Sequence, residues 1–315
     1  MRLVILTVTT SAQNNVLVWA DGQGQGRAPL TVFHRMKARI IVTFILLTLC
    51  SAALAQPTDL VKAPLHLRIG QTNGSGFFLV TSNFLYLVTA RHCLFAESVD
   101  PRPLIDPTLT ISWIDDAEVA QTGTFKLLLL SANARYHTNR DVAVVRVGKE
   151  RPGGITTYPR ALVTMPANRA VPMFSLAMIR QFKDVKAAED AYTLGYPGIG
   201  DPSQRLNPDR PLVQKGVVSD KDPVTRQLIL SLPVFHGNSG GPVFSVSPYT
   251  MPVRYHIIGI AVQFVPVTWE LPLPKINGKT PVSIDNAGYS IAEPIDFALE
   301  LIDEVERTTP WWLTP

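Results

Sequence analysis

The chain has 315 residues, 46% hydrophobic and 17% charged, a balance that fits one large globular domain or two small ones and excludes a disordered chain. Its net charge of +4 has a local source: residues 1–55 hold Arg2, Arg27, Arg35, Lys37 and Arg39 against Asp21 alone, which leaves 24 basic and 24 acidic residues after them. That neutral body carries no basic patch and no aromatic-basic interleaving, so nucleic acid is not an expected partner.

The first predicted element is a leader. Met36 to Gln56, "MKARIIVTFILLTLCSAALAQ", has a short cationic start, an apolar run from Ile40 and the small-x-small site Ala53-Leu54-Ala55, the pattern of a secretory signal peptide over residues 36–55. Signal peptides begin at the initiator, so residues 1–35 read as an over-extended start with Met36 as the true one. The uninterrupted apolar stretch Ile40–Ala55 is shorter than the roughly 20 residues of a spanning helix. An uncleaved anchor is therefore the weaker alternative, and no stable membrane insertion is expected once the leader is removed. Leu49 stands before Cys50 where lipid attachment needs a small residue. If Cys50 leaves with the leader, Cys93 alone remains and no internal disulfide can form. The expected location is outside the cytoplasm of a bacterium, in the periplasm or the medium.

From about residue 62 to 290 short β-rich runs alternate with turn residues, the pattern of a sandwich or barrel. Gly76–Ala90 reads as a hairpin around Ser82-Asn83. Further strands are expected at Leu109–Ile114, Thr124–Leu130, Asp141–Val147, Leu212–Ser219, Gln227–Ser231, Gly241–Val246 and His256–Phe264. Pro159–Asp190 is less strand-like and divides two halves, about 65–160 and 190–290. A helix is expected over 294–306: Pro294 suits its first position, Glu293 and Asp296 suit its positive end, and Ile295, Ala298, Leu299, Ile302 and Val305 recur at helical spacing. A tail, 307–315, carries Trp311-Trp312 and reads as a packed end.

Chemistry concentrates at residues 235–244, "FHGNSGGPVF". The letters "GNSGG" fit the G-x-S-x-G elbow of α/β-hydrolases, which requires the order Ser, acid, His and a helix after the serine. The only His after Ser239 is His256, residues 240–255 hold no Asp or Glu, and Pro242 continues as extended chain. That reading fails. The order His, Asp, Ser is available instead. "LVTARHCLF" places His92 just past an apolar strand, and "HTNRDVAVVRV" places Asp141 at the start of an alternating one. His92, Asp141 and Ser239 are thus candidates for base, orienting carboxylate and nucleophile, with the N–H groups of Gly237 and Ser239 as candidates for the oxyanion hole.

"TARHC", "DVAVVRV" and "GNSGGPVF" resemble the three catalytic segments of the chymotrypsin-like (trypsin-like) serine peptidases in order and separation. "GSGFFL", "LGYP", "GVVS" and "IIGIAVQF" are similar to supporting strands of that family. "GYSIAEPIDFALELI" is similar to the end of the HtrA protease domain, here without a following PDZ domain. The resemblance covers about residues 65–306 and implies an all-β fold of two antiparallel six-stranded β-barrels with a C-terminal α-helix, within a peptidase domain at 62–306. It implies an exported serine endopeptidase that acts on proteins or peptides through an acyl-enzyme and without a cofactor. The alternatives are an inactive binding module on the same fold and an esterase on the same three residues. By register with the family, Pro233 occupies the pocket floor, Ala261 replaces the His of glutamate-specific relatives and Phe264 narrows the wall, while His236 reads equally as bordering the pocket entrance or as an exposed residue. This implies a restricted apolar pocket for small or medium aliphatic side chains. Cys93, bonded in animal relatives, reads as a small buried filler. His66, His137 and His256 read as structural or solvated, Asp115-Asp116 as a turn, and no cluster has metal-ligand or phosphate-loop spacing.

Overall fold

The computed structural model describes residues 57–82, 84–97, 101–114, 122–129, 133–151, 154–157, 162–164, 172–198, 207–246, 254–274 and 279–308. The leader, Asn83, Asp115-Asp116 and the Trp311-Trp312 tail lie outside the described residues.

Among the described residues, sixteen strands and two α-helices follow one another. The first half holds β1 (Leu65–Ile69), β2 (Thr72–Val80), β3 (Phe84–Thr89), the four-residue helix α1 (Arg91–Leu94), β4 (Thr108–Ile114), β5 (Thr122–Leu128), β6 (Ala134–Tyr136), β7 (Ala143–Arg151), β8 (Gly154–Thr157), β9 (Leu162–Thr164) and β10 (Met173–Ser175). The second holds β11 (Asp190–Gly195), β12 (Leu212–Asp222), β13 (Gln227–Ser231), β14 (Pro242–Val246), β15 (Tyr255–Glu270) and β16 (Val282–Pro294), and the chain closes on α2 (Ile295–Thr308).

The second half is the expected six-stranded barrel, closed in the order β11-β12-β13-β16-β15-β14 with β14 back on β11. The first half departs from six strands. It is a ten-stranded sheet with the path β6-β7-β3-β2-β1-β4-β5-β9, and among the described residues no pair closes it. The additional strands are short. β8 folds back on β7, and β10, from the segment taken as a divider, adds in parallel to β2 through Met173↔Phe78 and Phe174↔Leu79. Strands of three or four residues in a Pro- and Gly-containing segment leave no periodic pattern to read.

Three apolar clusters hold the fold. One fills the first sheet with Leu65, Leu67, Leu109, Ile111, Trp113 and Val145, and another fills the closed barrel with Ala191, Val218, Leu228, Leu230, Ile258 and Ala261. The third joins residues of both halves, Phe77, Leu79, Val88, Val144, Phe244 and Ile260, to Ile295, Phe297, Ala298, Leu301, Ile302 and Val305 of α2. β2 and β3 therefore have both faces covered, which is why "GFFLV" and "FLYLV" read as continuous apolar runs and not as alternation. Each large side chain so buried contributes about 1.5–3 kcal/mol. Helix α2 begins one residue after Pro294, with Asp296 in its first turn and Arg307 in its last, the charges its dipole favours. Among the described residues, no helix is long and apolar enough to cross a membrane.

Candidate active site

His92 sits in α1, directly after β3. Asp141 lies in the loop between β6 and β7, two residues before β7, and not at the strand start that the sequence pattern suggested. Its carboxylate holds His92 at two points: the backbone N–H of His92 donates to Oδ1 at 3.0 Å, and the ring nitrogen Nδ1 is 2.6 Å from Oδ2. A carboxylate only accepts, so Nδ1 carries the proton, and in the neutral ring Nε2 then keeps its lone pair. Burial is the largest single effect and disfavours the charged imidazole, yet the hydrogen bond and charge of Asp141 together with the Cys93 thiol outweigh it and raise His92 from the usual 6.5 to about 10. Burial likewise works to raise Asp141, and the two hydrogen bonds from His92 together with the His92 and Arg91 charges reverse this and lower it.

Neighbouring residues fix this pair. The Arg91 guanidinium donates from Nη1 to the carbonyls of His137, Thr138 and Arg140, so the residue beside the imidazole clamps the loop that carries Asp141. Arg140 stacks 4.6 Å over the Phe297 ring of α2 and lies 3.9 Å from the buried Glu293 carboxylate, to which Gln227 donates at 3.0 Å. Burial pushes Glu293 above the ordinary carboxylate range, and the Asp141 charge adds to this. Arg91 and Arg140 do not stand out in the sequence, and Glu293 does so only as a helix-start charge, because their partners lie dozens of residues away.

Ser239 lies between β13 and β14. Its Oγ donates to the Val262 carbonyl of β15 at 3.4 Å, and no hydrogen bond joins it to His92. The loop around it is nearly saturated. The carbonyls of His236, Gly237, Asn238 and Ser239 accept from Gly198 N–H, Ser75 Oγ, Gly241 N–H and Ser75 N–H at 2.7–2.9 Å. The N–H groups of Asn238, Gly240 and Gly241 donate to Phe235, Ala261 and Asn238. Among the described residues, the N–H groups of His236, Gly237 and Ser239 have no acceptor, and of these three residues His236 is exposed. Glycine is required at two of these positions. Gly237 has φ +92° and a Cβ there would run into the Tyr196 carbonyl; Gly240 has φ +87° and a Cβ would strike Ser75 O and Thr89 Oγ1.

Around the serine, the His236 and Phe264 rings meet edge to face, 5.7 Å apart. Pro233 is partly buried, while the methyl of Ala261 packs in the core of the closed barrel and its backbone bonds Gly240 and Gly241. Cys93 is a free, buried thiol in the cluster that joins the two halves, with Sγ 3.5 Å from the Ser239 carbonyl. His66 is buried and stacked on Tyr196 at 4.7 Å. His137 does not reach for Asp141: its Nδ1 accepts from the Asn139 N–H, and its ring packs edge-on to Phe297. His256 is partly buried in β15. Among the described residues, no group of three or more His, Cys, Asp or Glu has the arrangement of a metal site.

A family model described as the trypsin-like peptidase domain matches residues 74–247, more than half of the chain. Among solved structures, the chain is similar to the serine endoprotease from Yersinia pestis at 15% identity and TM-score 0.45, over 79% of this chain and 64% of that one. This chain therefore spans less than two thirds of that protein's length. It is also similar to the Rv3671c protease in its inactive form, at 13% identity and TM-score 0.42, over 79% of this chain and 91% of that one. No curated protein matches the chain.

Proposed function

The chain belongs to the trypsin-like peptidase family, and from that premise we propose that it is an exported serine endopeptidase with Ser239 as nucleophile, His92 as base and Asp141 as the carboxylate that orients the base. The observation that carries this reading is the hydrogen bonding of residues 236–241, which among the described residues leaves the N–H groups of Gly237 and Ser239, with that of the exposed His236, without an acceptor beside a serine hydroxyl. A backbone donor left unpaired in a partly buried turn is free to take an acceptor from outside the chain. The oxyanion of a tetrahedral intermediate is such an acceptor.

In the proposed reaction the Ser239 hydroxyl leaves Val262 O and gives its proton to His92 Nε2 as Oγ attacks the peptide carbonyl carbon. The C=O electrons move to oxygen, which accepts from Gly237 and Ser239. Collapse breaks the C–N bond, and the imidazolium hands its proton to the leaving amine. Water then attacks the acyl-enzyme with His92 again as base, releasing the new carboxyl end and restoring Ser239. Asp141 stays ionised throughout, holding the Nδ1–H tautomer and stabilising the imidazolium.

Substrates are proteins or peptides. The edge-to-face His236–Phe264 pair supports a narrow apolar pocket, so cleavage after small or medium aliphatic residues is proposed. Secretion through the 36–55 leader is part of the same proposal, with a mature N-terminus at Gln56; Edman sequencing of the exported protein that begins at Met1 or Met36 would contradict it. Turnover separates the enzyme from the other readings. Hydrolysis of casein together with short peptide esters supports an endopeptidase, esters alone an esterase, and neither by a folded protein a binding module.

A further inference from the structure

We propose that Ser75, on β2 of the first sheet, is a positioning residue that holds the oxyanion loop of the closed barrel in its donating conformation; this rests on the peptidase reading above. Ser75 is completely buried and makes three bonds across the boundary between the two halves. Its backbone N–H donates to the Ser239 carbonyl at 2.7 Å, its Oγ donates to the Gly237 carbonyl at 2.7 Å, and the same Oγ accepts the Tyr196 N–H at 2.9 Å. Its own carbonyl accepts from Thr89 Oγ1 at 2.7 Å, three residues before His92.

The need for such a residue follows from the glycines. Gly237 and Gly240 are required sterically, but glycine has the least intrinsic preference of any residue, so composition alone leaves the peptide planes of this loop free to turn. Orientation must come from bonds to the carbonyls. The peptide before the Gly237 α-carbon is held by Gly198 N–H on His236 O, and the peptide after it by Ser75 Oγ on Gly237 O, so that φ and ψ of Gly237 are fixed from both sides. Beyond the nucleophile, Ser75 N–H fixes Ser239 O. One residue therefore restrains the planes next to the free N–H groups of Gly237 and Ser239.

A hydroxyl is specifically suited to this place. It carries one donor and two acceptor positions, and Ser75 uses the donor on Gly237 O and an acceptor for Tyr196 N–H at once. Alanine supplies neither. Cysteine has nearly the same shape but donates weakly, and threonine retains the hydroxyl.

The test compares Ser75→Ala, Ser75→Cys and Ser75→Thr in the full chain with wild type and Ser239→Ala. Folding is followed by circular dichroism, and kcat and KM are measured separately on a chromogenic peptide ester. Affinity is measured for a peptide aldehyde, whose adduct places an oxyanion in the hole, and for the matching peptide amide, which does not. For Ser75→Ala and Ser75→Cys the expected result is a kcat lower by roughly 10- to 100-fold, less than the 10²–10³ lost when an oxyanion donor itself is removed. KM and amide affinity stay within about twofold, aldehyde affinity falls with kcat, and Ser75→Thr recovers most of the loss. A folded Ser75→Ala or Ser75→Cys with wild-type kcat overturns the inference, as does a loss that Ser75→Thr shares in full. Should Ser75→Ala fail to fold, the Cys and Thr pair decides the matter. Wild-type turnover with insensitive Ser75 variants removes this inference alone; a folded wild type without turnover removes the peptidase reading and this inference with it.

Discussion

His92 and Asp141 are tied at two points, by the backbone N–H to Oδ1 at 3.0 Å and by Nδ1 to Oδ2 at 2.6 Å, so the carboxylate fixes both the position of the short helix and the tautomer of the ring. Asp141→Asn keeps the shape and removes the charge. An amide can present its NH₂ to Nδ1 and so leave Nε2 protonated, the wrong tautomer for a base. The expected loss is about 10⁴ in kcat with little change in KM. Steady-state kinetics on a peptide ester check this, and a loss of less than tenfold would contradict the assigned role.

The same pairing sets the pH dependence. Activity needs neutral His92, and the bond to Asp141 raises its proton affinity above the usual 6.5. The acid limb of kcat/KM in the free enzyme therefore has its midpoint above 6.5, and activity rises with pH through that point. The stability linkage has the opposite direction. A histidine whose folded pKa is raised gives stability that is complete below 6.5 and is lost as pH rises through the folded value. A midpoint below 6.5 in the pH profile would contradict the account.

Phe264 and His236 meet edge to face with ring centroids 5.7 Å apart, and the proposed pocket has Phe264 in its wall. Phe264→Ala opens that wall, and the preferred residue at the cleaved position shifts from small or medium aliphatic to larger aliphatic or aromatic. The expected change in relative kcat/KM is about 10-fold or more, the scale of one to three kcal/mol for added apolar volume. Profiling with a peptide library measures it. An unchanged profile, or one dominated by Arg, Lys or Glu in wild type, would remove Phe264 from the specificity pocket.

His66 offers a stability test at a residue outside the proposed catalytic three. Burial, with Arg68 nearby, lowers its pKa to about 4, and the ring is stacked on Tyr196. Between pH 6.5 and 4 the unfolded chain binds more protons at this residue than the folded one. Stability therefore falls as pH drops through that window, by up to about 3 kcal/mol. His66→Phe keeps a ring on Tyr196 and cannot titrate, so its Tm should decline less between pH 6.5 and 4 than that of wild type. Parallel declines would contradict this.

The local signals in the sequence were strong where chemistry and short-range pattern coincide. Gln227–Ser231 is β13 to the residue, α2 begins one residue after the proline expected to open it, and the closed six-stranded barrel follows from the strand pattern together with the family resemblance. Long-range features were hidden. β15 and β16 run for 16 and 13 residues, well past the apolar stretch, because register shifts at Ala261/Gln263 and Phe264/Pro266 interrupt the alternation and the outer parts face solvent. The first sheet gains β8, β9 and β10 from pieces too short to have a period. Ser75 and Arg91 sit inside recognisable motifs, yet what they do depends on carbonyls 162 and 46 to 49 residues away, and no local pattern records that.

The central claim is that Ser239 is an activated nucleophile, and the most direct measurement is covalent labelling of the purified protein by a fluorophosphonate probe, with Ser239→Ala alongside. Wild type should label and the variant should not, with His92→Ala greatly slowed. Absence of labelling in a folded wild type, or equal labelling of Ser239→Ala, would contradict the assignment of this serine and of the base beside it.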